Sequence, residues 1–379
     1  MRRPPTNRYP KCRMTDTTAP DSLASLPDFA LATLQSGVTQ GIFHSLAWYE
    51  NYLATARPSD VQLRFLTARS AEASAVLPMQ LSGGGGHLLP RLLSGVQNYY
   101  SCQFGPTVSG PPSQQLFEQL FGGLGADRPD VIDLHPLDRQ QPCFDWLRAA
   151  LRSNGWWVDS YFCAGNWQLQ VNGRSYSEYF ASLPSRLKNT LRRKKQALER
   201  TGQLQLEIIA DAEQVERLID AYTAIYNASW KQPEPYPDFM PGLIRTCARQ
   251  GWLRAGLAYV DDRPAAAQIW IVHNAQALIY KLAYDEQFGK LSIGSILTAA
   301  LMQHVIDTDR VELVDYLMGD EPYKRDWMSR RNERWGIIAY NPRTLPGLLA
   351  AARHFGGKWL KTIGKPPPGK TPTTAANHD

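Results

Sequence analysis

The order of strands and helices predicted in the second half of the chain constrains its fold more than any other feature. That order is a strand, two helices, three antiparallel strands, a loop of small residues, a helix, a strand, a short helix and a last strand. The strands lie at 203–209, 253–260, 265–272, 277–285, 311–318 and 336–340. A three-strand meander joined to a strand–loop–helix–strand unit predicts a mixed α/β sheet flanked by helices.

The loop of small residues at 289–295 follows the third strand of the meander and precedes a helix. The first turn of a helix has unpaired N–H groups and a partial positive charge, and small residues let an anion approach them. Ser292, Gly294 and Ser295 are therefore candidate ligands for a pyrophosphate group, and Lys290 adds charge at the loop entrance. Taken alone, the same loop is also explained by chain turning and helix capping.

The positive charge of the chain lies in its tails. The net charge of 379 residues is +6, but residues 1–20 carry five Lys/Arg and one Asp, and residues 343–379 carry six Lys/Arg and one Asp. The body is therefore slightly acidic, which does not favour nucleic acid as a partner. No apolar run approaches the roughly 18 residues that a membrane span requires.

The cysteines and the N-terminal segment indicate a reducing compartment. The five cysteines are far apart and include no Cys-x-x-Cys pair, so we expect neither a disulfide framework nor a metal site. The N-terminal basic residues are not followed by an apolar run, so we expect no ordinary secretory signal. These features predict a cytoplasmic protein.

Composition and pattern divide the chain into five segments. Residues 1–25 are a basic, polar tail that we expect to be disordered, and residues 366–379 are a second disordered tail. Residues 26–165 form a first α/β domain with no catalytic constellation. Residues 166–342 form the domain that holds the small-residue loop, and 343–365 are an amphipathic basic helix.

The second half resembles the GNAT acyltransferase superfamily over about residues 203–340. The resemblance is to its FemAB-like branch, the acetyltransferase family associated with cellulose and other exopolysaccharide gene clusters. The matching segments, in chain order, are 192–202, Tyr280, Tyr284-Asp285, Ser292–Leu297, Asp315, Gly319 and Tyr323–Trp327. Ile293 stands where proline is frequent and Met318 where an aliphatic residue is usual, and neither change removes a polar group.

This resemblance implies two tandem GNAT-like lobes. Residues 26–165 are then a first lobe that lacks a donor loop and forms one wall of an acceptor cleft. The implied chemistry is direct acyl transfer from acetyl-CoA or another acyl-CoA to an amine or hydroxyl, without a metal. The strand at 277–285 is expected to pair with the pantetheine arm, which brings Leu282 to the donor.

Each residue with an implied role also has a structural explanation. Asp315 is either the general base or a salt-bridge partner of the segment at 323–325. Tyr284 either protonates the leaving thiolate or fills one face of its strand. Lys324 either contacts a ligand in a catalytic role or is a solvated charge. The candidate acceptor-binding residues are Asp285, Tyr280 and Tyr323.

Two helices carry further positive charge. The helix at 185–201 has seven Lys/Arg. Either they bind an anionic group of CoA, tRNA or a glycan, or they form a solvated face. The helix at 345–363 has an apolar side that suits either a peripheral contact with the inner membrane or docking on the protein's own core.

Three functions follow from these observations. The preferred one is CoA-dependent N- or O-acyl transfer to a sugar, glycolipid or small amine of cell-envelope or exopolysaccharide metabolism. The first alternative is a Fem-like transfer of an aminoacyl group from charged tRNA. The second is a catalytically silent GNAT scaffold in a polysaccharide-synthesis complex, against which the small-residue loop argues.

Overall fold

A computed structural model describes residues 20–84, 89–124 and 128–363, with only the backbone described for 359–363. The strands in these ranges are β1 (Gln62–Arg69), β2 (Ser74–Ser82), β3 (Leu92–Gly95), β4 (Thr107–Ser109), β5 (Val131–Asp138), β6 (Trp157–Gln170), β7 (Leu204–Ile209), β8 (Leu253–Val260), β9 (Arg263–His273), β10 (Gln276–Tyr284), β11 (Leu313–Met318) and β12 (Arg330–Tyr340). The α-helices are α1 (Asp28–Ser36), α2 (Leu46–Thr55), α3 (Gln114–Gly122), α4 (Pro142–Ser153), α5 (Tyr176–Ser182), α6 (Ser185–Arg200), α7 (Val215–Asn227), α8 (Phe239–Arg249), α9 (Ile293–Asp307), α10 (Lys324–Trp327) and α11 (Leu345–Ile363).

All the described strands join one mixed sheet, in the order β1-β2-β3-β5-β12-β6-β11-β10-β9-β8-β7, with β4 beside β2. Each half contains a parallel pair connected through a helix, β3–α3–β5 in the first half and β10–α9–β11 in the second. The two halves exchange their last strands. β6, the last strand of the first half, pairs with β11 of the second, and β12, the last strand of the second half, pairs with β5 of the first. The predicted mixed sheet flanked by helices is confirmed, and its two lobes share one continuous sheet.

The central strand β6 is the main element that the sequence pattern did not predict. Gly165 and Asn166 interrupt its apolar alternation, but pairing with β12 on one edge and β11 on the other holds it extended. A Cβ at Gly165 would lie 2.1 Å from Asp320 Oδ1, so a larger residue there would displace the Asp320 carboxylate. The expected boundary between residues 165 and 166 falls inside this strand.

Several element ends differ from the sequence prediction. The helix α9 begins at Ile293 rather than 296, and β12 begins at Arg330 rather than 336. Asp211 precedes a 3-10 helix at Ala212–Gln214 and makes no side-chain capping bond. Order begins before residue 26, since Leu23–Ser25 form a 3-10 helix. The predicted disorder of 1–19 and 366–379 lies outside the described residues.

The two lobes pack through aromatic side chains. Trp48 of α2 meets Phe239 of α8 edge to face at 5.5 Å, and the Tyr100 ring stacks on Phe239 at 3.9 Å. Phe43 and Tyr280 join the same buried cluster. Aromatic pairs of this kind stabilise beyond their buried area, so the first lobe is held firmly against the second.

The described ranges contain neither a metal-site cluster nor a membrane-spanning helix. No group of His, Cys, Asp and Glu there has the arrangement of a metal site. None of the helices there is long and apolar enough to cross a bilayer.

Candidate active site

The parallel strands β10 and β11 pair at their beginnings and then separate. Their paired residues are Gln276–Leu278 and Leu313–Asp315, and the pairing stops beyond Leu278 and Asp315. A bulge between Ile279 and Lys281 also interrupts the pairing of β10 with β9. Bulges re-aim a strand and leave backbone groups free for other partners. The separation therefore leaves a gap in the sheet with strand backbone along its edge.

This gap opens into a cleft of about 670 Å³ between the two lobes. The second lobe contributes Ile279–Leu282 of β10 and Tyr316–Met318 of β11, together with Tyr323 and Lys324 of the following segment. The first lobe contributes the loop at 97–102. The cleft is large enough for a small ligand and has one wall from each lobe.

The helix α9 begins with free amide groups. Ser292 precedes it in the left-handed region, with φ 56° and ψ 34°, and its side chain does not cap the helix. The amide of Ile296 is bonded to the Ser292 carbonyl, whereas the amides of Gly294 and Ser295 lie in the first turn and make no backbone hydrogen bond to the described residues outside the helix. A left-handed residue between helical turns directs successive N–H groups into one concavity, which suits an anion.

The ring of Tyr284 packs over the loop at 289–295. A Cβ at Gly289 or Gly294 would lie 3.4 Å from atoms of this ring, and the centre of the Trp230 ring lies 4.7 Å from its centre. Gln268 Nε2 donates to the Gly294 carbonyl at 2.9 Å and fixes the first turn of α9 from below. Tyr284 therefore shapes the loop, and it is not among the residues that line the cleft.

The basic helix α6 lies beside the loop at 289–295. Lys194 Nζ donates to the carbonyl of Lys290 at 2.7 Å, which joins the two segments. An open groove on α6 is lined by the polar and basic residues Arg186, Asn189, Thr190, Arg192, Arg193, Gln196 and Arg200. Positive charge thus continues from the first turn of α9 along α6, and Lys290 itself is exposed.

Two ion pairs lie inside the cleft. Lys281 Nζ lies 3.2 Å from Glu234 Oε1, and the hydroxyl of Tyr100 donates to Glu234 Oε2 at 2.6 Å. Lys324 Nζ lies 3.0 Å from Glu321 Oε2 and donates to the Met318 carbonyl at 2.8 Å. Lys324 is only 5% exposed, so its description as a solvated charge is wrong.

Lys231 is a third cation of the cleft, and it has no carboxylate within salt-bridge distance among the described residues. Its Nζ donates to the carbonyl of Leu282 at 2.5 Å and lies 5.7 Å from the ring centres of Tyr226 and Trp230. Burial, with a further contribution from the charge of Lys281, lowers the pKa of Lys231 from 10.5 to about 8. A considerable fraction of this amine is therefore neutral near physiological pH.

Asp315 lies outside the cleft lining, in a buried polar network behind it. Its carboxylate accepts hydrogen bonds from Asn166 Nδ2 at 2.5 Å, Gln168 Nε2 at 2.8 Å and the amide of Leu317 at 2.7 Å. Arg334 lies 3.9 Å away. Asp315 therefore makes these contacts instead of the predicted salt bridge to segment 323–325. Both of its carboxylate oxygens already accept hydrogen bonds at the point where β11 separates from β10.

The remaining acceptor candidates occupy different environments. The Tyr280 hydroxyl donates to the Tyr100 carbonyl at 2.9 Å, and its ring is 8% exposed. Asp285 accepts from the amide of Gln287 at 2.9 Å and caps a short 3-10 helix. Tyr323 is 43% exposed in the cleft, and burial of its hydroxyl raises the pKa to about 12.

Comparison with known proteins agrees with this architecture. Residues 185–325 match the family profile of the acetyltransferase (GNAT) domain. The chain has a GNAT-like fold. No curated protein sequence matches this chain significantly.

Two solved structures show how far the GNAT-like fold extends. The C-terminal domain (DUF2156) of a putative lysylphosphatidylglycerol synthetase from Agrobacterium fabrum aligns with 86% of this chain and 95% of its own, at 12% identity and a TM-score of 0.50. FemX aligns with 84% of this chain and 97% of its own, at 9% identity and a TM-score of 0.58. Both alignments cover the two lobes together and indicate a shared fold.

The first GNAT-like lobe supplies cleft residues that the sequence did not reveal. His135 lines the cleft, with Nδ1 3.2 Å from Asp133 Oδ1 and Nε2 3.0 Å from Gln97 Nε2. Tyr99 is 67% exposed at the cleft. No motif marks these positions, because they meet β10 only through the packing of the lobes.

Proposed function

We propose that the protein transfers an acyl group from acyl-CoA to an amine or hydroxyl of a small acceptor, of the sugar, glycolipid or amine class of cell-envelope or exopolysaccharide metabolism. The observation that carries this proposal is the separation of β10 from β11 beside the uncapped first turn of α9. One edge of that gap offers strand backbone to an extended amide-containing arm, and the helix start offers N–H groups to a pyrophosphate.

The chain's own groups account for the steps that the transfer requires. An acceptor nitrogen or oxygen attacks the thioester carbonyl, a proton leaves the acceptor, and the carbon–sulfur bond breaks to release the thiolate. Backbone N–H groups of β10 at its bulge are suited to stabilise charge on the carbonyl oxygen. The cleft between the lobes positions the acceptor against the same strand.

Within the proposed function, Lys231 is the proton acceptor. Its amine lies in the cleft at the carbonyl of Leu282, on the strand that is proposed to hold the donor. A base works best when its pKa is near the working pH, and the lowered pKa of Lys231 meets that condition. Asp315 does not meet the geometric condition, since its oxygens are already engaged by three donors.

Calorimetric titration with acetyl-CoA tests the donor. We expect micromolar binding by the unaltered protein and none by Gly294→Asp, which places a negative charge at the first turn of α9. Gly294→Ala is the matched control, because its Cβ would meet Tyr284 at an ordinary contact distance of 3.4 Å. Equal CoA binding by Gly294→Asp and the unaltered protein would contradict the placement of the donor.

A second candidate, aminoacyl transfer from charged tRNA, is supported by the arginine-lined groove on α6. Phosphate contacts made by arginines weaken steeply with salt. The same titrations should therefore include uncharged tRNA at low and high salt. Salt-sensitive tRNA binding without CoA binding would favour this candidate. Failure to bind either ligand would favour a catalytically silent scaffold.

A further inference from the structure

The C-terminal helix α11 is fixed to the sheet by one of its sides. Ala351 is fully buried, and His354 Nε2 lies 2.6 Å from Asp159 Oδ2. The Tyr340 ring packs against His354 at 5.3 Å, and Lys358 also contacts the Asp159 carboxylate. Because these contacts occupy one side of the helix, they determine which side faces outward.

The outward side of α11 is apolar. Leu345, Leu348 and Leu349 are 60%, 38% and 50% exposed, and Ala352 continues the same side one turn later. Their spacing of three and four residues places them in one stripe. A monomeric protein that needed only to dock this helix on its own core would expose polar residues here instead.

The apolar surface extends from α11 onto the sheet. Trp157 of β6 pairs directly opposite Tyr340 of β12, so both side chains stand on the face of the sheet that α11 covers. Trp157 is 49% exposed, and Phe355, which packs on Tyr340 at 5.8 Å, is 37% exposed. A half-exposed tryptophan beside an apolar helix suits the boundary between water and lipid.

The charge around this surface is positive. No acidic residue occurs between 343 and 363, and Arg343 and Arg353 are exposed beside the leucine stripe. The sequence after α11 adds Lys365 and Lys370 before its first acidic residue, Asp379. A second copy of the chain would bring an equally basic surface, whereas an anionic bilayer supplies the opposite charge.

We propose that α11 and Trp157 form a peripheral binding surface for bilayers that contain anionic phospholipid. The helix lies in the plane of the headgroups with Leu345, Leu348 and Leu349 inserted and the arginines at the phosphates. This inference does not depend on the reaction in the cleft.

Sedimentation with vesicles tests the proposal on the full chain. The two vesicle types are phosphatidylcholine alone and an equimolar mixture with phosphatidylglycerol. We expect binding to the mixed vesicles, with at least about tenfold weaker binding by the triple variant Leu345→Ser, Leu348→Ser and Leu349→Ser. Arg353→Gln should weaken binding about fivefold. Leu89→Ser is the control, because Leu89 is 63% exposed in the first lobe and lies outside the proposed surface.

Three results would overturn the proposal. The first is failure of the unaltered protein to sediment with the mixed vesicles at low salt. The second is equal binding by the triple variant and the unaltered protein. The third is a dimer, measured by light scattering, that the triple variant converts to a monomer without any lipid binding. Circular dichroism of the triple variant confirms that the fold is retained.

Discussion

Replacing Lys231 with methionine should stabilise the protein at neutral pH while it removes the proposed base. The folded-state pKa of Lys231 is about 8, below the 10.5 of an exposed lysine, so below pH 8 folding must bury a charge. That difference costs about 3 kcal/mol of stability near pH 7 and falls below about 1 kcal/mol by pH 10. Loss of the hydrogen bond to Leu282 removes about 1 kcal/mol at both pH values.

The expected gain in the free energy of unfolding is therefore about 2 kcal/mol near pH 7 and about zero near pH 10. Urea unfolding followed by tryptophan fluorescence at the two pH values measures it. Lys195→Met is the matched control, since its side chain is 48% exposed and no large pH-dependent change is expected. A Lys231→Met protein that is less stable near pH 7, or whose gain is the same at both pH values, would refute this reasoning.

Lys231→Arg separates basicity from charge. Arginine keeps the positive charge but does not release its proton at these pH values. If Lys231 is the base, thiol release from acetyl-CoA with glucosamine as a probe acceptor should fall about a hundredfold in both variants and lose its rise through about pH 8. Recovery of activity in Lys231→Arg would instead indicate that the charge binds an anion.

Two further variants, each with a control variant, test the sheet around the site. Asp315→Ala should lower the free energy of unfolding, measured in urea, by about 3 kcal/mol, because it leaves buried donors without an acceptor. Asp320→Ala is its control and should cost about 1 kcal/mol, because the Asp320 carboxylate is 44% exposed. Gly165→Ala should lower the free energy of unfolding by about 1–3 kcal/mol, since its Cβ would meet the Asp320 carboxylate at 2.1 Å. Gly123→Ala is its control and should cost less than about 0.5 kcal/mol, because no atom lies within 4 Å of its Cβ. An unchanged midpoint in Gly165→Ala would contradict the close approach.

The elements around the small-residue loop were predictable because their signals are local. The meander, the loop at 289–295 and the helix after it are consecutive in the chain, and small residues at a helix start have a direct physical use. The cleft between the lobes depends on contacts between distant segments. Lys231 and His135 line one cleft only because the loop at 97–102 packs against β10, and no local pattern encodes that contact.

Asp315 illustrates how a sequence signal can point to the right strand and the wrong environment. An acidic residue near the end of a strand that follows the donor helix is a reasonable base by position alone. Its environment is decided by β6, which brings Asn166 and Gln168 against it from the first lobe. Because β6 was not predicted as a strand, this network could not be inferred.

The exchange of last strands explains why the two lobes act as one site. β12 leaves the second lobe to pair with β5, and β6 leaves the first to pair with β11. A hinge between the lobes would have to break one of these ladders, so closure by lobe rotation is disfavoured. Under the proposed function, selection of the acceptor then depends on side chains and loops within a fixed cleft, between β10 and the opposite wall at 97–102. Substitutions at Tyr99 should therefore alter the choice of acceptor without changing the affinity for CoA.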